Sequence, residues 1–92
     1  MKMNRIMRII KEPVEKRGMK LNLLPNGVVV IVKDDYGFIQ ISAVLDKYYV
    51  RYLNRKDAFV LSDLNYDAIE ALLDEKLVHL ERRKDVLKIP DV

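Results

Sequence analysis

Three residues in the first third of the chain, Pro25-Asn26-Gly27, constrain its fold more than any other feature, because apolar runs flank them on both sides. Asn-Gly accepts the positive φ angles of a tight turn, so residues 19–24 and 28–33 are predicted to form a β-hairpin. Positions 28–32 are apolar throughout, which is typical of a strand that lies inside a sheet and is covered on both faces.

The alternation of apolar and polar residues continues beyond this hairpin. Asp34 and Asp35 predict the next turn, and residues 38–45 and 48–53 then alternate with the period of a strand. Another turn and a short apolar strand follow. Residues 19–61 are therefore predicted to form a five-strand antiparallel meander.

After the meander, the apolar spacing changes to that of a helix. Residues 63–76 are predicted to form a helix with Asn65 as its N-cap, and residues 77–89 to form a β-hairpin with a basic tip. The first element, residues 5–11, has a pattern that fits either a strand or a helix, and Pro13 is expected to end it.

The fold class that follows is α+β. We expect a small curled antiparallel sheet or partial barrel of about five to seven strands, with one helix in the C-terminal half packed on it. The 92 residues are expected to form a single domain. Its predicted parts are a basic N-terminal arm (1–18), the meander (19–61), the helix (63–76) and the hairpin (77–89).

The composition argues against catalysis. The chain has no cysteine, which removes thiolate ligands, disulfides and a cysteine nucleophile together. His79 is predicted to be an ordinary exposed residue with only Glu81 beside it as a partner. Ser42 and Ser62 lie outside nucleophile motifs, and the three glycines are too scattered for a phosphate loop. We therefore expect no enzyme activity, no catalytic residue, no cofactor and no metal site.

The same composition bears on the compartment. We find no segment with the pattern of a membrane span or a secretion signal, so a cytoplasmic location is expected. Charged and β-branched residues are abundant, whereas the chain has no cysteine or tryptophan. This bias is reported for hyperthermophile proteins, so a thermophilic, archaeal source is expected.

Positive charge is concentrated at the N-terminal end. Residues 1–20 carry seven basic and two acidic side chains, or +5, whereas residues 21–92 carry ten and twelve, or −2. A basic segment on a nearly neutral body is typical of proteins that bind a phosphate backbone, although a solvated surface segment has the same composition. Ile6, Ile9 and Ile10 indicate that part of this arm packs on the body. The predicted nucleic-acid-binding residues are the cations of the arm and of later strands and turns: Lys2, Arg5, Arg8, Lys11, Lys16, Arg17, Arg51, Arg55, Lys56, Arg82, Arg83 and Lys84.

One predicted strand is rich in tyrosine. Alternation places Tyr48 and Tyr52 on one of its faces, and Tyr49 with Arg51 on the other. Aromatic rings among cations on a sheet suit a single-stranded ligand, because bases stack on rings while cations meet phosphates. Tyrosines also close the edges of cores, with the hydroxyl in water. The three tyrosines are the predicted residues for stacking or partner contact.

Residues 48–82 resemble the small β-rich domain of archaeal GINS-type replication factors, in which two strands precede a helix and a further strand. The resemblance rests on the stretch LNRKDAFVLSDLNYDAIEALLDEKLVHLE, where the positions of the pattern are held by Asp57, Leu61, Ala68, Leu72, Leu73 and Val78. It implies a small-domain layout that this family uses for protein docking in a replication assembly. It carries no site residue over to this chain.

Together these features predict a non-catalytic accessory subunit that docks on a larger nucleic-acid machine of the DNA polymerase or replication type. One alternative is a stand-alone small nucleic-acid-binding protein, viral or chromatin-associated. Another is a protein-interaction module unrelated to nucleic acid. The expected partners are a larger protein complex and DNA or RNA bound through the basic arm, with no membrane. The sequence also leaves a homodimer open.

Overall fold

The computed structural model describes residues 2–89, with side chains from residue 5 onward. Six strands form one antiparallel sheet in which each strand pairs with the next one in the chain. The sheet is open, because its first and last strands do not pair with each other. The elements in chain order are α1 (Lys2–Lys16), β1 (Lys20–Leu23), β2 (Val29–Lys33), β3 (Tyr36–Val44), β4 (Lys47–Tyr52), β5 (Ala58–Leu61), α2 (Tyr66–Leu73), α3 (Leu77–Arg82) and β6 (Val86–Ile89).

The predicted α+β class and the five-strand meander are confirmed. Gly27 adopts a φ of 85° in the first turn, which a residue without a Cβ does readily. The amide of Leu24 donates to the carbonyl of Val28 at 2.8 Å and closes the same turn. Asp34 and Asp35 have φ angles of 50° and 68° and join β2 to β3 as a two-residue turn.

A β-bulge between β2 and β3 enlarges the core. Ile31 pairs with Ile39 and Val32 with Gly37, so Phe38 is the extra residue. Phe38 and Ile39 are consequently both fully buried, although they are neighbours in a strand. A strict period of two places only one of the two in the core, so sequence alternation alone does not predict this arrangement.

The N-terminal segment is a helix, which settles the choice left open for residues 5–11. Ile6, Ile10 and Val14 recur at every fourth position and are buried in the core, as expected for an amphipathic helix. The expectation that Pro13 ends the element is wrong, because α1 continues to Lys16. A proline inside a helix removes one backbone hydrogen bond. The buried stripe on both sides of Pro13 offsets that loss.

The predicted C-terminal helix is confirmed, although it is shorter than expected. The side chain of Asn65 accepts a hydrogen bond from the amide of Ala68 at 3.0 Å, so Asn65 is the N-cap. After the last turn Glu75 adopts a φ of 56°, and the amide of Lys76 bonds the carbonyl of Ala71 at 2.9 Å. This reversal resembles the left-handed helix ends that glycine usually provides, and it stops α2 before residue 76.

The predicted β-hairpin at 77–89 is wrong in its first half. Residues 77–82 form α3, and only β6 is a strand, paired with β5. The prediction rested on Val78 and Leu80 sharing a strand face, but Leu77 and Leu80 are also one helical turn apart. Leu80 is buried and Leu77 packs on the core, while Val78 is 64% exposed. Helical spacing therefore buries more apolar surface here than strand spacing.

Candidate functional site

The two faces of the sheet have different surroundings. On the covered face, the helices pack over cross-strand neighbours such as Ile31, Ile39 and Tyr52, all fully buried. None of the helices described within residues 2–89 packs on the other face, which we call the open sheet face. Strand pairing and alternation assign it Lys20, Asn22, Val30, Val32, Gln40, Ser42, Val44, Lys47, Tyr49, Arg51, Ala58, Val60, Leu87 and Ile89.

The open sheet face is positively charged. None of the six described strands contains an aspartate or glutamate, so the carboxylates lie in helices, turns and termini. Lys20, Lys47 and Arg51 project from this face and are exposed. Among the side chains at positions 5–89, no carboxylate forms an ion pair with any of these three cations. The charges of Lys47 and Arg51 are therefore available to an external anion, whereas Lys20 lines a pocket with Asp34 and Asp35.

The three predicted contact tyrosines are separated by the fold. Tyr49 is partly exposed on the open sheet face, between Lys47 and Arg51 along β4. Tyr48 is partly buried against the core on the opposite face. Tyr52 is fully buried, and its hydroxyl donates to the main-chain carbonyl of Leu72. The prediction that Tyr52 is a stacking residue is therefore wrong, since its ring closes the core and fixes α2 on the sheet.

Three of the predicted cations are held by carboxylates within the protein. Arg17 donates through Nε and Nη2 to both oxygens of Asp74 at 2.9 Å, which joins α1 to the end of α2 and lowers the pKa of Asp74. Arg55 pairs with Glu75 at 2.8 Å. Arg83 bonds Asp85 at 3.0 Å and also contacts Asp67. These arginines join neighbouring parts of the protein, so a phosphate would have to compete with the carboxylates that already contact them.

The remaining predicted cations, apart from Arg51, lie outside the strands of the sheet, and one of them lies outside the described side chains. The exposed cations of α1 share its solvent side with Glu12 and Glu15. Because α1 packs on the covered face, this side and the open sheet face point in opposite directions. Lys56 is exposed in the turn after β4, and Arg82 and Lys84 are exposed beside the end of α3. The α1 cations with described side chains are Arg5, Arg8, Lys11 and Lys16, and the side chain of Lys2 lies outside the described set.

A shallow groove between α2 and α3 contains the histidine. His79 is exposed as predicted, but its partner is Asp67, with 3.2 Å between Nε2 and Oδ2. The contact with His79, together with that from Arg83, lowers the pKa of Asp67. Since Arg83 already engages this carboxylate, the pair resembles a surface ion-pair network that connects α2 to α3, rather than a base positioned for catalysis.

The described part of the chain has neither a metal-binding cluster nor a helix that could span a membrane. Across residues 2–89, no three histidine, aspartate or glutamate side chains converge where they would hold a metal ion. None of the described helices has the length and apolar composition needed to cross a bilayer.

Lys20 and Lys47 are absent from the predicted set of binding residues. The signal that identifies them is the alternation of β4, which places Lys47, Tyr49 and Arg51 on one face, together with the lack of acidic residues in every strand. Gln40 lies opposite Arg51 in the neighbouring strand, so strand pairing assigns it to the same face.

Comparison of the chain with protein families, with curated proteins and with solved structures finds no match. The resemblance of residues 48–82 to GINS-type domains stays a prediction.

Proposed function

We propose that this protein is a non-catalytic nucleic-acid-binding domain whose binding surface is the open sheet face. The observation that carries the proposal is the set of three exposed cations, Lys20, Lys47 and Arg51, that project from strands containing no aspartate or glutamate. Asp34 and Asp35, in the turn after β2, line a pocket with Lys20 at one end of this face. Cations that are not neutralised within the protein release the counterions of a phosphate backbone when they bind it, which favours association with nucleic acid.

The spacing of these cations suits an extended polyanion. Lys47 and Arg51 are four residues apart on β4, or roughly 13 Å along the strand. Lys20 lies on β1, three strands away, or roughly 14 Å across the sheet. Asn22 and Gln40 lie between them and supply neutral donors and acceptors. A backbone that crosses the sheet from β4 to β1 meets all three positive charges.

Two matched triple variants test this proposal. Lys20→Gln/Lys47→Gln/Arg51→Gln removes three charges from the open sheet face, and Arg5→Gln/Arg8→Gln/Lys11→Gln removes three from α1, so both variants have the same net charge. Binding of a labelled oligonucleotide is measured over a range of salt concentrations. The sheet variant should bind more weakly and lose about two units of the log–log salt slope, at roughly 0.7 per lost single-strand contact. The α1 variant should behave like the wild type.

The opposite pattern identifies a different surface. If the α1 variant loses the affinity and the sheet variant keeps it, the basic N-terminal segment is the contact. If the wild type binds no oligonucleotide at micromolar concentration in low salt, direct nucleic-acid binding is refuted.

A second candidate function, an accessory subunit of a polymerase or replication complex, is favoured by the β6 edge of the sheet. Among residues 2–89 no strand pairs with the outer edge of β6, whose Leu87 projects from the open sheet face and is 67% exposed. The neighbouring α3 exposes Val78. An unpaired strand with an apolar side chain accepts an extended segment of a partner as an added strand.

The test of this second candidate function is affinity purification after nuclease treatment. The wild type should retain identified polymerase or replication subunits, and Leu87→Lys should not. Leu24→Lys is the control, because Leu24 lies near the β1 edge of the sheet, and this variant should retain them.

A further inference from the structure

We infer that the open sheet face binds a single strand, with one base stacked on Tyr49. The inference rests on the proposed function and adds the class of nucleic acid and the residue that distinguishes it. Tyr49 is the tyrosine that the strand pairing places on this face, since Tyr48 and Tyr52 belong to the covered face.

The neighbours of Tyr49 provide what a stacked nucleotide requires. Along β4 it is flanked by Lys47 and Arg51, so each side of the ring has a cation within reach of a phosphate. Across the sheet it pairs with Val60 on one side and Ser42 on the other. The valine gives the base an apolar neighbour, and the serine hydroxyl supplies a donor and an acceptor for its edge. Stacking on tyrosine tolerates any base, because every base has a π-face.

The width of the sheet argues against a duplex. Six strands span roughly 24 Å, whereas the major groove of B-DNA is about 12 Å wide and admits a helix or a two-stranded ribbon. A duplex on this face would therefore offer only its phosphates, and Tyr49 would have no base to meet. A single strand can lie flat on the sheet with its bases turned towards the ring.

The test uses the full chain and three labelled probes of equal length, about 12 nucleotides. The probes are oligo(dT), an abasic strand with the same phosphates, and a duplex. The variants are Tyr49→Leu, Tyr49→Phe, and Tyr66→Leu as a control for loss of an exposed tyrosine on α2. Wild type should bind oligo(dT) about tenfold more tightly than the abasic strand, and Tyr49→Leu should abolish that difference. Tyr49→Phe and Tyr66→Leu should preserve it, and binding to the abasic strand should be the same for all four proteins.

The other outcomes separate the single-strand inference from the proposed function. In one of them, oligo(dT), the abasic strand and the duplex bind alike, Tyr49→Leu changes none of these affinities, and the triple sheet variant weakens all three. That result overturns the single-strand inference and leaves the proposed function standing. If no probe binds wild type, both the single-strand inference and the proposed function are overturned. Circular dichroism of Tyr49→Leu shows whether the variant is folded. If it is not, the comparison of oligo(dT) with the abasic strand on wild type still tests whether bases contribute to binding.

Discussion

Individual side chains show how far local patterns predict this protein. Asn65 and the Asp34-Asp35 turn were predictable, because a cap and a tight turn depend on residues close in sequence. The separate roles of Tyr49 and Tyr52 were only half predictable. Alternation places them on opposite faces, but which face the helices cover depends on contacts with α1 and α2, which are distant in sequence.

Removing the hydroxyl of Tyr52 should destabilise the fold. Tyr52→Phe leaves the buried carbonyl of Leu72 without this donor, and we expect a loss of about 1 kcal/mol in the free energy of unfolding. Tyr48→Phe is the matched control, since the Tyr48 ring is only partly buried, and it should change stability much less. Denaturant unfolding measures both. Equal stability of Tyr52→Phe and wild type would show that the hydrogen bond contributes nothing.

Tyr52 should also make the fold sensitive to alkali. Burial raises the pKa of Tyr52 above its ordinary value of 10.0, so the folded state keeps the phenolic proton where the unfolded state has lost it. The contribution to stability is therefore fully present below pH 10.0 and is lost as the pH rises towards the folded-state pKa. Unfolding measured at increasing alkaline pH should show a smaller decline in Tyr52→Phe than in wild type. Parallel declines would mean that other groups account for the sensitivity.

The helices were harder to predict than the strands. The meander has short turns and clear alternation, so its five strands follow from the sequence. In α1 the buried stripe surrounds a proline, and in α3 two leucines fit both a helical and a strand period. Local pattern does not decide these cases, because the outcome depends on how much apolar surface each arrangement buries against the rest of the protein.

If α1 is part of the core, truncating its buried stripe should unfold the protein. Ile10 is fully buried, so Ile10→Ala should cost roughly 2–5 kcal/mol in the free energy of unfolding. Ile9→Ala deletes the same atoms from a partly exposed position and should cost much less. Thermal or denaturant melting distinguishes them. A small and equal effect of both would show that residues 2–16 are a loosely attached arm.

The protein taken as a unit has two positively charged surfaces on opposite sides, the solvent side of α1 and the open sheet face. The excess of basic residues in the first twenty positions points to the former and is visible in the sequence, but Lys20, which is counted in that excess, lies on the open sheet face. The latter comes from cations distant in the chain, Lys20, Lys47 and Arg51, which strand pairing places on one face. The sequence shows the charges, but their separation into opposite surfaces requires the fold.

The most direct test of the central claim is an NMR titration of isotope-labelled wild-type protein with oligo(dT). The account predicts that amide shifts concentrate on the central strands of the open sheet face, around Gln40, Ser42, Tyr49 and Arg51, while residues 5–16 of α1 are unaffected. Shifts confined to α1, with β3 and β4 unchanged at saturating ligand, would contradict the assignment of the binding surface to the sheet.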